Sequence, residues 1–319
     1  MASVNGSNSS LPKAQAEWRK ALEELPSTPD NIPAFFFAHG SPMLAFPEAD
    51  VQKGPVMQHM GPKGPLAMFL KDFGPVLLRK YKPRGIVVFS AHWETAPERV
   101  GALVTHVSYP CSDSLSVTDY GDKNPLLMDY YGFQPALYQL KFDSRGDSSL
   151  AQRVVQLGED GRGFSGPGLD HGVFVPFRLM FGEEFRDVPI VQVSIDGSLS
   201  PEKNWAVGTV VEQLRRDGIL VLSGGLVVHN LRDFSSFAEE TAPAQVKDFD
   251  KAIHDAILVP DVSARKEAMV KLIQHPGFRA AHPRADHFVP LYVAAGAGGE
   301  GNVKVLSAVY GVPTFAFGL

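Results

Sequence analysis

The 319 residues carry a formal net charge of −5, so no basic surface favours nucleic acid or an anionic membrane as a partner. Hydrophobic residues at 44% and charged residues at 20% match an ordinary globular protein of sufficient length for a large core. One cysteine, Cys111, excludes an internal disulfide, and the lack of a secretory signal or long uncharged apolar window predicts a cytoplasmic protein without a membrane span.

The chain opens with a segment that we predict to be an N-terminal extension, residues 1–30. Its first 12 residues are polar and are expected to be disordered. Residues 13–25 have the spacing of a short amphipathic helix, which the sequence PSTPDN then ends. Residues 31–319 are predicted to form one further domain.

Three apolar runs that lead to histidines have the composition of buried strands. They are residues 32–38 before His39, residues 85–91 before His92, and residues 219–223, after which come Gly224, Gly225 and His229. The carboxyl ends of parallel strands form the edge where open α/β sheets bind ligands, so we expect the histidines to meet there. A helix pattern over 65–81, interrupted near Gly74 and Pro75, predicts a parallel β-α-β crossover between the first two strands.

The rest of the sequence also contains predicted strands and helices. A strand is predicted over 188–196, helices near 202–218, 243–258 and 263–274, and a strand pair at the C-terminus. In the least regular part, 95–170, we expect a lid or substrate-facing wall. Its aromatic residues have two interpretations. They are either anchors of a surface loop, which is the preferred interpretation because loops often carry such residues, or an apolar wall for a flat ring substrate. The predicted fold is α/β, a single domain with a central, mostly parallel sheet flanked by helices.

Four histidines stand near the end of a strand or the start of a helix, namely His39, His92, His229 and His287. Small residues flank the first three and could let a metal ion and a substrate approach the backbone. Neutral imidazole is a common ligand of zinc and iron, and three of them leave coordination positions open. The spacings match no local metal signature, so each histidine alone is equally consistent with a structural role. The histidines in polar or irregular surroundings, interpreted as surface or structural, are His59, His106, His254 and His275.

His171 follows an acidic residue, Asp170, whose carboxylate could orient the imidazole ring. Both precede a segment that is either a helix or a strand and turn. We interpret His171 as a residue that binds substrate or supports the metal ligands; the alternative is a helix-start residue bonded to the backbone.

Five short motifs occur in one order along the chain. They are AHGSPM at 38–43, SAHWE at 90–94, LDHGVFVP at 169–176, VVHNLR at 227–232 and HPRADHFVPL at 282–291. Together they resemble the class III extradiol ring-cleavage dioxygenases, most closely the DOPA 4,5-dioxygenase-like branch. The resemblance covers essentially everything after the leading helix, so 31–319 would be the catalytic domain. It implies a non-haem metal at the C-terminal edge of the central sheet.

The resemblance also implies a role for each histidine of the motifs. His39 and His92 would be the first two metal ligands, and His287 takes a position that is a glutamate ligand in protocatechuate-cleaving relatives. His229 would be the active-site acid/base, close enough to bind the metal as well. An imidazole that titrates near neutral pH can accept a catechol proton and return it. His171 would contact the substrate.

The implied reaction inserts O2 into a catechol, DOPA-like or otherwise 4-substituted, and gives a ring-opened muconic semialdehyde. Fe(II) is the expected cofactor for activity, with Zn(II) as another occupant of the site. One departure from the family pattern bears on the substrate, because Met128 stands where a histidine usually precedes the aspartate of a His-Asp-Phe element.

Two alternatives stay open. Three histidines are also the ligand pattern of hydrolytic zinc, so the first alternative is a zinc-dependent hydrolase on the same fold. Against it, the sequence places no carboxylate beside these histidines in an evident general-base role. The second alternative is a non-catalytic binding relative. A homodimer is consistent with such folds.

Overall fold

A computed structural model describes residues 11–28, 30–47, 55–95, 115–158, 162–164 and 168–319. Cys111 and His106 lie outside the described residues. The same holds for most of the predicted disordered start and for the first part of the predicted wall.

An eight-stranded sheet forms the centre of the described chain. Its strands are β1 (Ala34–Ala38), β2 (Gly85–Thr95), β3 (Ser116–Thr118), β5 (Arg162–Phe164), β7 (Ile190–Asp196), β8 (Ile219–Gly225), β9 (Val303–Ser307) and β10 (Thr314–Phe317), in the order β5-β3-β7-β2-β8-β1-β10-β9. The four middle strands, β7-β2-β8-β1, are parallel, whereas β10 and β9 add antiparallel at one edge. A separate short pair joins β4 (Asp143–Ser144) to β6 (Glu184–Phe185).

The middle strands were predictable because parallel strands covered on both faces must be apolar along their whole length. Every residue of β1, β7 and β8 is buried. The predicted α/β fold with a central, mostly parallel sheet is confirmed. Strands β1 and β2 are parallel but not adjacent, because β8 lies between them.

Ten helices surround the sheet within the described part of the chain. They are α1 (Gln15–Glu23), α2 (Pro55–Met60), α3 (Pro65–Tyr81), α4 (Ser148–Leu157), α5 (His171–Phe181), α6 (Pro201–Val211), α7 (Ala244–Ile257), α8 (Val262–Lys271), α9 (Phe278–Ala281) and α10 (Pro290–Gly298). None of these helices combines the length and the apolar character needed to cross a membrane.

Helices α5 and α10 cover opposite faces of the sheet at the end of β8. Successive residues of a strand point to opposite faces. The Ser223 hydroxyl donates a hydrogen bond of 2.7 Å to the carbonyl of Pro290, the first residue of α10. A Cβ on the next residue, Gly224, would instead lie 3.5 Å from the carbonyl of Gly172 in α5.

The predicted interruption of the third helix is wrong, because α3 runs unbroken through Pro75. Proline removes one backbone donor from a helix. The helix is retained because its apolar side is buried and because Gly74 lets it approach α5 closely. A Cβ at Gly74 would lie 2.1 Å from the carbonyl oxygen of Met180. The helix predicted over 202–218 is also shorter, since α6 ends at Val211 and a 3-10 turn follows.

The leading helix α1 packs on α3. Trp18 is 1% exposed, its ring lies 5.9 Å from that of Phe69, and its indole N–H donates a hydrogen bond of 3.0 Å to Asp72. The division of the chain near residue 30 stays a prediction.

Candidate metal centre

Two of the predicted histidines lie toward the C-terminal ends of two parallel strands, β1 and β2, which flank β8. His39 follows β1 directly, and its backbone N–H donates a hydrogen bond of 3.1 Å to the carbonyl of Gly225 at the end of β8. His92 lies within β2, which continues to Thr95 rather than ending at residue 91 as predicted.

A bulge in β2 turns His92 out of the regular pleat. Phe89 pairs with Val193 of β7, and the next pair is Glu94 with Ile195. The four residues 90–93 therefore oppose a single residue of β7. Bulges of this kind redirect side chains next to active sites. The ring of His92 then lies against the start of α5, where a Cβ at Gly172 would be only 2.9 Å from its Cδ2 atom.

His287 reaches the same edge from the loop before α10. Its carbonyl accepts a hydrogen bond of 2.8 Å from the backbone N–H of Leu226. A Cβ on Gly225 would lie 2.5 Å from that carbonyl oxygen, so glycine is required for this approach. The expectation that glycines at this strand end make room for metal and substrate is wrong here. The space at Gly225 is filled by the His287 backbone, and that at Gly224 by the Phe37 ring.

His39, His92 and His287 converge on one point. One ring nitrogen of each lies within 4.8 Å of the other two. The ring centroids are 5.2 Å apart for His39 and His92, 5.2 Å for His39 and His287, and 4.9 Å for His92 and His287.

Several nitrogens of this cluster are buried without a hydrogen-bond partner among the described residues. They are both ring nitrogens of His39, Nε2 of His92 and Nδ1 of His287. Buried polar atoms without partners are costly and call for an explanation such as a bound ion. Three imidazoles that each bring one ring nitrogen to the same point fit a transition metal or zinc.

The protonation state of the cluster also suits a metal. Burial, followed by the neighbouring His287 and His171 rings, lowers the pKa of His39 far below its ordinary value. Burial and His171 do the same to the pKa of His92. Both rings are therefore neutral at physiological pH, which is the form that binds metal.

His171 lies beside His92 at the first residue of α5, with the ring centroids 4.0 Å apart. Its partner is Asp129, whose Oδ1 atom lies 2.8 Å from His171 Nδ1 and accepts a 3.0 Å hydrogen bond from the His171 backbone N–H. The other oxygen of Asp129 lies 3.4 Å from His92 Nδ1. Sequence reasoning did not assign a role to Asp129.

The expected orientation of His171 by Asp170 is wrong. The Asp170 carboxylate caps α5 by accepting from the Gly172 backbone N–H at 2.8 Å. It also accepts from the Ser90 hydroxyl at 2.8 Å and from the Gln192 amide at 2.5 Å. Burial and the nearby Asp129 charge raise the pKa of Asp170.

His229 lies four residues beyond the end of β8 and stacks on His287, with ring centroids 3.5 Å apart and planes 12° apart. Its nitrogens are grouped with Asp286 and His287, not with His39 and His92. Burial, followed by His287, lowers the pKa of His229 to about 2. The expectation of an imidazole that titrates near neutral pH is therefore wrong for this buried ring, which is neutral at physiological pH.

A charged bridge adjoins His287. The Arg284 guanidinium donates to Glu94 from both terminal nitrogens, and its Nη1 atom donates a 2.8 Å hydrogen bond to Asp286. The Asp286 carboxylate in turn lies 3.2 Å from His287 Nδ1. Burial would raise the pKa of Asp286, but His287 and Arg284 outweigh it and lower that pKa. Two carboxylates therefore lie beside the histidines: Asp129, from a distant loop, and Asp286, which directly precedes His287 in the sequence.

Aromatic residues of the predicted wall lie next to His171. The Tyr130 ring is 5.5 Å from the His171 ring and 5.6 Å from Phe133. The Tyr130 hydroxyl donates to the carbonyl of Leu137 and lies 3.1 Å from the sulfur of Met128. These contacts hold Tyr130 rigidly beside the site.

The other histidines of the described chain have structural contacts. His59 bonds the Tyr310 carbonyl at 2.7 Å, and His254 is 5% exposed, so it is structural rather than a surface residue. His282, which the sequence did not single out, is fully buried and bonds the Val227 carbonyl at 2.8 Å. That bond ties the segment of His229 to the segment of His287.

A parallel sheet with buried histidines clustered at its carboxyl edge defines a metal-dependent α/β enzyme. The chain belongs to the LigB family, described as the catalytic LigB subunit of aromatic ring-opening dioxygenase, which it matches over residues 33–319. The family is metal-dependent, and the activity class of the chain is extradiol ring opening.

Relatives of known name agree with this membership. A 4,5-DOPA dioxygenase extradiol-like protein of Schizosaccharomyces pombe is 38% identical and aligns over 95% of this chain and 97% of its own length. The 4,5-DOPA dioxygenase extradiol of Beta vulgaris is 30% identical over 86% of this chain and 90% of its own. A crystal structure of an uncharacterized Escherichia coli K12 protein shares the fold, with a TM-score of 0.62, 21% identity, and coverage of 90% of this chain and 100% of that one.

The resemblance inferred from the five motifs is thereby confirmed, as is the enzyme class. Family membership favours ring opening over the hydrolase and the non-catalytic alternatives. The roles of the individual histidines stay predictions.

Proposed function

We propose that the protein is an Fe(II)-dependent extradiol dioxygenase that opens a 4-substituted catechol, DOPA or a close analogue, to a muconic semialdehyde. The observation that carries the proposal is the meeting of His39, His92 and His287, each of which brings one ring nitrogen to the same point and has a buried ring nitrogen without a hydrogen-bond partner. Ferrous iron held there would supply the redox chemistry between the catechol ring and O2.

His229 is proposed to act as the acid/base rather than as a fourth ligand. It stacks flat on His287, beside the ligand cluster and outside the set of three nitrogens that converge. The neutral ring is a weak base in the substrate-free protein, so this role requires the bound catechol to raise the His229 pKa. The ring would then take a proton from a catechol hydroxyl and later return it to the oxygen that leaves the ring carbon. General acid–base catalysis by a positioned histidine contributes typically 10²–10⁴-fold to a rate.

His171 and Tyr130 are proposed to form the wall against which the substrate ring binds. His171 is 8% exposed at the head of α5, and Tyr130 packs edge-on against it. A buried imidazole and a rigid aromatic ring offer one polar contact and one apolar surface, as small-molecule sites usually do.

A zinc-dependent hydrolase is the second candidate function. It is favoured by the two carboxylates that the structure brings to the cluster, since hydrolytic zinc sites need a base beside the metal-bound water. A ligand set of three histidines also lacks the carboxylate of the usual ferrous facial triad. Zinc has no second oxidation state, so the zinc form cannot perform ring opening.

The test is oxygen uptake by protein reconstituted anaerobically with Fe(II), on a panel of 4-substituted catechols that includes DOPA. We expect uptake with formation of a yellow product, and no uptake by zinc-loaded protein. Absence of uptake on every catechol, with iron confirmed bound, would overturn the dioxygenase proposal and favour the hydrolase. Cytoplasmic location and a homodimer stay predictions.

A further inference from the structure

We propose that Asp129 is a positioning residue that sets the orientation and the proton location of two histidines at once, His171 and His92. The inference rests on the proposed function, in which His92 binds the metal and His171 contacts the substrate. One carboxylate oxygen serves His171, at 2.8 Å from Nδ1 and 3.0 Å from the backbone nitrogen. The other faces Nδ1 of His92 at 3.4 Å.

The backbone holds Asp129 firmly in this place. Residues 125–127 run beside Leu169, with a hydrogen bond of 2.8 Å from the Leu169 N–H to the Pro125 carbonyl and another of 2.8 Å from the Leu127 N–H to the Leu169 carbonyl. This pairing brings the loop alongside the start of α5. The Asp129 side chain is only 10% exposed, and its neighbour Tyr130 packs on the His171 ring.

The nearer acidic residue cannot take this role. The Asp170 carboxylate accepts from Ser90, Gly172 and Gln192, which occupy both of its oxygens. Among the ion pairs found in the described segments, His171 and His92 share one acidic partner, Asp129.

The consequence concerns which ring nitrogen carries hydrogen. An ionised carboxylate only accepts hydrogen bonds, so it favours hydrogen on Nδ1 of both rings and leaves Nε2 with a free lone pair. For His92 that Nε2 atom is the buried nitrogen without a protein partner. Carboxylates behind ligating histidines fix tautomer and ring orientation in this way. Here one carboxylate would couple the metal ligand to the substrate contact.

The variant Asp129→Asn separates charge and hydrogen-bond direction from shape. Its amide oxygen would stay toward His171, where two N–H groups donate, so its NH2 group would face Nδ1 of His92. Because NH2 only donates, Nδ1 of His92 would have to accept, and the hydrogen would move to Nε2. That tautomer cannot offer Nε2 to a metal.

We expect Asp129→Asn to bind Fe(II) 10- to 100-fold more weakly, measured anaerobically by competition with a chromophoric chelator, with the melting temperature of the metal-free protein unchanged. The matched control is Asp122→Asn, an exposed position in the same loop, which should bind Fe(II) as the wild type does. Asp129→Glu retains an acceptor-only carboxylate and should bind at least tenfold more tightly than Asp129→Asn.

Two histidine variants keep this inference distinct from the proposed function. His92→Ala should lose the metal, and His171→Ala should keep metal affinity while raising KM for the catechol. Wild-type Fe(II) affinity in Asp129→Asn, with metal lost in His92→Ala, would overturn the positioning role and leave the function standing. Equally weak Fe(II) binding by Asp129→Asn and Asp129→Glu would also overturn the positioning role, because the loss of affinity would then have a steric cause. Retention of Fe(II) by His92→Ala would refute the metal centre itself.

Discussion

Asp250 should make the protein less stable as the pH rises through the weakly acidic range. The residue lies on α7 with its side chain 13% exposed, and it accepts a 3.1 Å hydrogen bond from the Gly311 backbone N–H. The His254 ring, one turn further along the same helix, has its Nε2 atom 3.9 Å from the Asp250 carboxylate. Burial also lowers the pKa of His254, to about 4, so that ring is neutral above this pH. Burial is the main cause of a rise in the pKa of Asp250 from its ordinary 3.8 to about 6.

The sign and size follow from linkage between protonation and folding. A raised acid pKa means that the folded state holds the proton more tightly than the unfolded state. The stabilisation that Asp250 contributes is therefore fully present below about pH 4. It is lost as the pH rises from there through the folded-state pKa of about 6. A difference of about 2 pKa units corresponds to about 3 kcal/mol at neutral pH.

The variant Asp250→Asn removes this titration and keeps the oxygen that bonds Gly311. The assay is urea unfolding of metal-free wild type and variant at several pH values from about 4 to about 8. As the pH rises across that range, we expect the free energy of unfolding of the variant to increase by about 3 kcal/mol relative to that of the wild type. Any constant cost of the new amide group cancels in this comparison. A stability difference that does not change with pH would refute the reasoning.

Three further predictions concern the site and the core. His39→Ala should lose metal and activity together while the protein stays folded. His229→Ala should keep the metal and lose 10²–10⁴-fold in kcat. Complete loss of metal in His229→Ala would show that His229 is chiefly a ligand. Arg215→Met should cost about 4 kcal/mol in urea unfolding, because the guanidinium is 3% exposed and bonds four backbone carbonyls, while the exposed neighbour Arg216→Met should cost little. Gly172→Ala should weaken Fe(II) binding about tenfold, because its Cβ would lie 2.9 Å from a ligand ring; unchanged affinity would show that the ring can move aside.

Family membership and the site geometry make different contributions to the functional conclusion. The family match fixes the class of reaction, aromatic ring opening that depends on a metal. The geometry assigns the candidate ligands, because His39, His92 and His287 each bring one ring nitrogen to the same point. Met128, which stands where the family pattern has a histidine, contacts the Tyr130 hydroxyl through its sulfur.

Local sequence patterns predicted the middle strands of the sheet and the first two candidate ligands. Runs such as 32–38 and 188–196 are apolar along their whole length, and only a strand covered on both faces can bury them. A histidine that ends such a run must lie at the sheet edge, which is where His39 lies. These are local properties, and so a linear pattern can carry them.

Predictions from local sequence failed where packing between distant segments determines the structure. The proline rule predicted a break in α3, yet the close contact of Gly74 with α5 keeps the helix continuous. The two glycines that end β8 were expected to admit a ligand. The space at Gly225 is instead filled by the backbone of His287, which lies 62 residues further along the chain.

The acidic partner that His171 and His92 share became apparent in the folded chain and not in the sequence. Asp129 lies 42 residues before His171, and nothing in the sequence of its loop indicates that residues 125–127 pair beside Leu169. Asp170, adjacent to His171 in sequence, bonds other groups instead. The low pKa of His229 likewise arises from burial against a second ring, His287. A sequence pattern shows which segments are buried. The partner of a buried polar group depends on which segments come into contact, and the three-dimensional arrangement of strands and loops decides this.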